Sequence, residues 1–248
     1  VSDQILYYKN EVNIGASLSR NKGIAYAHGS YITFLDDDDE YMPDKVLHQV
    51  EFMLKTGCDL SFSNMVMYND KGKIVDFRDY SDIWSFDNHE LLKYHLMKHL
   101  TGTPTFMFKT ESLRQVGGFD NVKSGQEFYL MLKSIQNGLV IRYLNACDVI
   151  VHKHVDGGIT QGRNKIEGEI ALFAFKKKYF SILTKEQRNF IRFRHWAVMV
   201  VGYMRNHMYY RMLCAGVVAF IVSPLDFSRE IPRFLRGIWL KNLNSGEV

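Results

Sequence analysis

Tyr31-Ile32-Thr33-Phe34-Leu35-Asp36-Asp37-Asp38-Asp39-Glu40 decides how this chain is read. The first five residues form an unbroken apolar run rich in aromatic and β-branched side chains. Such a run suits a buried strand of a parallel sheet. Five acids follow at once. Four aspartates in a row are ordinarily a solvated loop, and that reading stands for the run taken alone. Its position favours another. Ligands of open α/β sheets bind outside the carboxyl ends of strands. Crowded carboxylates at such an end repel one another unless a cation neutralises them. An all-oxygen ligand set favours Mg²⁺ or Mn²⁺. An EF-hand would need Gly at position six and Glu at position twelve of the loop, and counting from Asp36 these are Tyr41 and Leu47.

Outward from this stretch the pattern alternates. Residues 4–9 read as a short strand and 16–28 as a helix ending at Gly29. After the acids, Pro43 stands at a helix start and Gly57 at its end. Strands are expected over 59–68 and 74–77, joined by the turn Asn69-Asp70-Lys71-Gly72. Asn88 is positioned to cap a helix over 89–100. A strand over 105–109 and a short helix over 110–116 run to Gly117-Gly118. Ser124 opens a helix that ends at Gly138, and strands follow near 139–144 and 148–152. From about residue 165 the chain reads as helical, over 165–181, 185–205, 207–222 and 227–241, with a capping box at Thr184…Gln187. Strands alternating with helices argue for an α/β domain over 1–160, and the remainder for a helical region over 161–248.

Composition narrows the function classes. The chain has 248 residues, 46% hydrophobic and 23% charged, which is globular composition rather than that of a disordered or fibrous chain. The net charge of +4 is too small to argue for nucleic acid, and the acidic cluster argues against it. No GxxxxGK[ST] phosphate loop occurs. Cys58, Cys147 and Cys214 lie far apart and read as reduced residues of a cytosolic protein. The opening residues read as the middle of a domain, so an N-terminal piece is expected to be missing. In the helical region the best apolar run, Met212–Val222, has 11 residues, against the roughly 20 a membrane span requires. A packed helical hairpin is one reading. An interfacial helix using Trp196, Tyr209, Tyr210 and nearby arginines, with peripheral membrane contact, is the other.

Upstream of the acids, Asn13-Ile14-Gly15-Ala16-Ser17-Leu18-Ser19-Arg20-Asn21-Lys22-Gly23 enters the first helix. Arg20 is either a surface arginine or a two-pronged clamp for phosphate. Downstream, Gly117-Gly118-Phe119-Asp120 precedes Ser124-Gly125-Gln126-Glu127. These motifs, in this order, resemble family 2 glycosyltransferases of the GT-A fold over roughly residues 1–155. The resemblance implies a mixed α/β sheet flanked by helices, with the C-terminal helical unit attached. It also implies an inverting transfer of a sugar from a nucleotide-sugar, UDP-linked by default, to a glycan or lipid-linked acceptor in surface polysaccharide synthesis. By the same resemblance Asn13, Arg20, Asp36 and Asp37 contact the donor. Asp38 holds the divalent metal, Mn²⁺ or Mg²⁺, with His154 a further candidate ligand, and Glu127 is the catalytic base. The work would be done on the cytoplasmic side, at the inner face of the membrane. The family opens with a strand–helix–strand unit that holds the nucleotide base, absent here, and its usual Glu-Asp pair is Gln126-Glu127 in this chain.

Competing readings accompany several of these residues. Glu127 closes an S-x-x-E capping box with Ser124 and need be no more than a helix-end residue. His152 and His154 project to one side of a strand as ligands or as structural residues. Arg163, in the Gly-rich stretch 157–163, lies in a loop over the donor or in a linker. A non-catalytic nucleotide- or glycan-binding module with a helical docking tail is the alternative for the whole chain.

Overall fold

The structure is a computed structural model that describes residues 5–100, 102–122, 125–153 and 163–229. Its elements follow in chain order. They are α1 (Ala16–Tyr26), β1 (Tyr31–Thr33), β2 (Glu40–Tyr41), α2 (Lys45–Thr56), β3 (Leu60–Ser63), β4 (Met65–Asn69) and β5 (Ile74–Arg78). Next come α3 (Asn88–Lys98), β6 (Met107–Lys109), α4 (Thr110–Gln115), α5 (Gln126–Gln136), β7 (Ile141–Leu144) and β8 (Val149–Lys153). The helical region contributes α6 (Arg163–Lys177), α7 (Lys185–Arg205) and α8 (Tyr209–Val222).

The strands form two four-stranded mixed sheets, ordered β1-β6-β3-β7 and β2-β8-β4-β5. Strand β3 runs parallel to β7, and β4 parallel to β8; the remaining pairings are antiparallel. The expected strand over 59–68 is therefore two strands that leave one sheet at Asn64 and enter the other. Its neighbour makes the same transition at 145–148. The two chains are stitched together there: Asn64 N–H donates to the Ala146 carbonyl at 2.9 Å, and Asn64 Nδ2 to Asn145 Oδ1 at 3.1 Å.

Period-2 alternation sorts the first sheet's side chains into two layers. Leu60 and Phe62 of β3 and Phe108 of β6 join residues of α1, α3, α4 and α5 in the main core. Met107 faces the other way, with Met53 of α2 and Cys58. Helices thus cover both faces, the α/β arrangement anticipated from the sequence. The helical region packs on the outer side through Leu96, Phe128, Leu132, Leu183 and Ile191, so it extends the core. Its capping box forms as expected, with Thr184 Oγ1 accepting from Gln187 N–H and Gln187 Oε1 accepting from Thr184 N–H.

Several expectations change. Residues 5–9 carry no strand, and Leu6 and Tyr7 are exposed. The run 31–35 is strand only over its first three residues, pairs antiparallel with β6, and is half-buried at the edge of its sheet. A continuous apolar run speaks of burial on two faces, but strand direction is set by the partner. Asp87, rather than Asn88, caps α3, accepting from the His89 and Glu90 N–H groups. Gly125, in the left-handed region at φ 74°, occupies the N-cap of α5, and Ser124 lies outside the described residues. Most of the expected helix over 227–241 also lies outside them.

Candidate active site

The acidic run leaves β1 as a tight turn in which Asp39 N–H donates to the Asp36 carbonyl at 3.1 Å. Asp37 and Asp38 are exposed at its tip, while Asp36 and Asp39 are half-buried on its flanks. Strand β8 returns beside it. The His152 N–H donates to Asp39 Oδ1 at 3.1 Å, and His152 Nε2 lies 2.9 Å from Glu40 Oε1. Burial pushes the Asp39 carboxyl up to about 6. The His152 N–H bond opposes that shift, and the charges of Asp38 and Asp36 add to it.

A buried polar knot carries the turn from below. Lys45 Nζ donates to Thr33 Oγ1 at 2.7 Å and stands 4.0 Å from the centre of the Tyr41 ring. The Thr33 hydroxyl donates to the Phe106 carbonyl at 2.7 Å, and the Tyr41 hydroxyl to the Phe34 carbonyl at 2.5 Å. These bonds fix both ends of the turn, because Phe34 precedes it and Tyr41 follows it. Burial drives the Lys45 ammonium down to about 7 against the opposing charge of Asp148, and drives the Tyr41 phenol up to about 12. Neither role was legible from the sequence, although Lys45 at the first position of an amphipathic helix was open to view.

The Lys45 shift has a stability consequence with a definite sign. Below pH 7 folded and unfolded chains both hold the proton, and the folded state bears the full burial penalty. Between about 7 and 10.5 the unfolded chain binds more protons, so this residue's contribution to stability rises with pH. Lys45→Met removes the buried charge at similar volume. We expect it to gain about 1–3 kcal/mol over the parent at pH 6, a gain that shrinks by pH 9.5, in parallel thermal melts. A difference that does not vary with pH would contradict this.

Helix α1 contributes the brace. Arg20 Nη2 meets Asp36 Oδ1 at 2.5 Å, and Nη1 donates to Gln126 Oε1 at 3.0 Å, 106 residues away. Its guanidinium also lies 5.5 Å from the centre of the Phe119 ring. One side chain therefore joins the acidic turn to the first turn of α5, and Glu127 is the next residue along that helix. Asn21 clamps the glycine turn, accepting from Phe119 N–H and donating to the Phe119 carbonyl, both at 2.8 Å. A Cβ on Gly118 would fall 2.5 Å from Asn21 Oδ1, and φ is 61° there, so both space and backbone require glycine. Asn13 Oδ1 accepts from Gly15 N–H at 2.9 Å, shaping the entry to α1.

The structure thus brings Arg20, Asp36 and Gln126 together, and Asp37, Asp38 and Glu127 are their neighbours along the chain. Asn13 lies in the turn that opens the same helix as Arg20. His154 and Ser124 lie outside the described residues, so the histidine ligand and the Ser124 half of the capping box are not described. Gln126 was passed over in the sequence as the non-acidic member of a pair. It proves to be the acceptor that links α5 to Arg20.

Among the described residues, no three His, Cys, Asp or Glu side chains converge into a cation cage. A divalent ion here would take one or two carboxylates from the turn and complete its shell with substrate oxygens. Mg²⁺ sites at phosphates are commonly built that way. Asp36 is paired with Arg20. An open cavity of about 610 Å³ lies at the start of β1, lined by His28, Tyr31, Lys109 and Arg114 among others, away from the acidic turn.

A mixed α/β sheet covered by helices, with an acidic turn at a strand's carboxyl end, defines the class as a GT-A-type domain. Residues 2–117 match the family described as Glycosyl transferase family 2. An uncharacterized glycosyltransferase of Methanocaldococcus jannaschii is 31% identical over 136 residues, which cover 54% of this chain and 46% of that protein. TuaG of Bacillus subtilis, named for teichuronic acid biosynthesis, is 27% identical over 183 residues, 73% of this chain and 66% of TuaG. WfgD of Escherichia coli, a UDP-Glc:α-D-GlcNAc-diphosphoundecaprenol β-1,3-glucosyltransferase, is 34% identical over 68 residues, 27% of each chain. The chain therefore spans about half to two thirds of the first two. Among solved structures, S. aureus TarS 1–349 aligns with a TM-score of 0.49 at 14% identity, over 85% of this chain and 61% of that one.

Proposed function

We propose that this chain is the core of a metal-dependent, inverting glycosyltransferase that moves a sugar from a nucleotide-sugar to a glycan or lipid-linked acceptor in surface polysaccharide synthesis. The observation that carries the reading is the Arg20 brace, which holds the acidic turn and the start of α5 together. In this reading Asp37 and Asp38 face the donor diphosphate, and Asp36 and Arg20 keep the turn in register. Asn13 shapes the loop beside them. Glu127 accepts the proton of the acceptor hydroxyl as its oxygen bonds to the anomeric carbon and the nucleoside diphosphate departs from the opposite face. A divalent cation at Asp38, with His154 as a second candidate ligand, would neutralise the departing diphosphate as a Lewis acid.

The printed names of the relatives support the substrate class. WfgD is named for a UDP-sugar donor and a polyprenyl-diphosphate acceptor, and TuaG for an envelope polysaccharide. A lipid-linked acceptor would bring the protein to the cytoplasmic face of the membrane, with contact through its C-terminal helices.

The test is thermal stability with Mn²⁺ and a panel of UDP-, GDP- and dTDP-sugars. A ligand at 100 times its Kd stabilises the native state by about 2.7 kcal/mol, which for a chain of this size raises Tm by roughly 5–10 °C. We expect one nucleotide to give that shift and EDTA to remove it. Melts unchanged by every donor would contradict the reading.

A further inference from the structure

Helix α8 is built inside out. Its small residues Ala215 and Ala219 are buried in its packing against α7. Its large residues Tyr210, Leu213, Val217, Phe220 and Ile221 are 51–80% exposed, and at 100° per residue they fall on one stripe about 100° wide. Leu225, just beyond the helix, is 72% exposed. Isolated exposed apolar residues are ordinary, but a continuous stripe along a whole helix marks an interaction surface.

Charge indicates what covers it. Among the described residues, Arg205, Arg211 and Arg229 flank and follow the helix against one acid, Asp226, in a chain of net charge +4. A second copy docked on this stripe by a two-fold axis would set like charge against like charge. An anionic lipid surface would be complementary. Geometry specifies the mode. Helix α8 has 14 residues and spans about 21 Å, shorter than the ~30 Å hydrocarbon core. No helix among the described residues is long and apolar enough to cross a membrane.

We propose that α8 lies in the plane of an anionic lipid surface, with its Tyr210–Ile221 stripe in the acyl boundary and the flanking arginines on lipid headgroups. This deepens the membrane contact in the proposed function and names its face and its lipid class. It rests on that reading only for its purpose, because neither the stripe nor the charge takes part in donor binding. The donor melts and the lipid experiment can therefore fail separately.

The experiment is co-sedimentation of the full chain with large unilamellar vesicles of phosphatidylcholine, with and without 30% phosphatidylglycerol (~30 mol%), in low and high salt. The parent should bind the phosphatidylglycerol vesicles, prefer them over pure phosphatidylcholine by about tenfold or more, and lose that preference in high salt. Leu213→Gln with Ile221→Gln should weaken partition by about tenfold while leaving the melting temperature and the donor shift unchanged, since both residues are exposed. Equal binding by parent and variant would overturn the proposal. So would an absence of binding to anionic vesicles, or a concentration-dependent dimer in sedimentation velocity that the same substitutions dissolve.

Discussion

Asp38→Asn is expected to reduce transfer by about a thousandfold or more while leaving the protein folded. Asp38 is exposed at the tip of a turn whose shape is set by other groups: the Asp39–Asp36 backbone bond, the Arg20 brace and the Lys45–Thr33–Tyr41 knot beneath. Removing one negative charge from a cluster of like charges relieves repulsion, so the variant should melt at or slightly above the parent temperature without ligand. In the proposed reading it loses an anionic oxygen for the cation that would meet the leaving diphosphate. The donor-induced rise in Tm should disappear with it, because amide oxygen is a weaker ligand than carboxylate for a hard divalent ion. Full activity in Asp38→Asn would remove the metal assignment. An unfolded variant would show that the turn depends on Asp38 structurally.

Glu127→Gln is expected to separate binding from chemistry. It keeps size and hydrogen-bonding capacity at the second residue of α5 but cannot accept the acceptor's proton. General-base catalysis contributes about 10²- to 10⁴-fold, so kcat should fall by that factor. Donor binding should survive, because the brace runs through Gln126 and leaves Glu127 out. A helix-end role alone predicts the reverse pattern. Gln serves a capping box as well as Glu does, so turnover would be retained. Gly125 occupies the N-cap of α5, and Ser124 lies outside the described residues. Loss of donor binding in Glu127→Gln would mean that the residue shapes the site without acting as base.

The sequence revealed the sheet end before the sheet. The alternation of strands and helices was sufficient for the α/β class, and the motif order singled out Arg20 and Asp36, which the structure pairs. What stayed hidden depends on partners distant in the chain. The direction of β1 is fixed by β6, more than 70 residues on, and nothing inside Tyr31–Leu35 specifies it. The break at Asn64 exists because two parallel strands cross between sheets together, and hydrophobic alternation continues through it. Lys45, which no sequence pattern singled out, is 1% exposed, because the strand-end hydroxyls of Thr33 and Tyr41 form a pocket for it. Gln126 earned no attention as a neutral side chain, and its value comes from an arginine 106 residues earlier. The outward stripe of α8 was visible as apolar sequence, but which of its faces α7 would take required the packing.

The measurement that tests the central claim most directly is nucleoside diphosphate release by parent, Asp38→Asn and Glu127→Gln in parallel. The donor would be the one selected in the thermal panel, with Mn²⁺ present and sugar-diphosphate-polyprenol acceptors supplied. The same samples would be scored for donor occupancy by their melting shift. The account predicts turnover in the parent alone, donor occupancy without turnover in Glu127→Gln, and neither in Asp38→Asn. Release by Glu127→Gln at the parent rate, or a parent that binds no nucleotide-sugar, would contradict it.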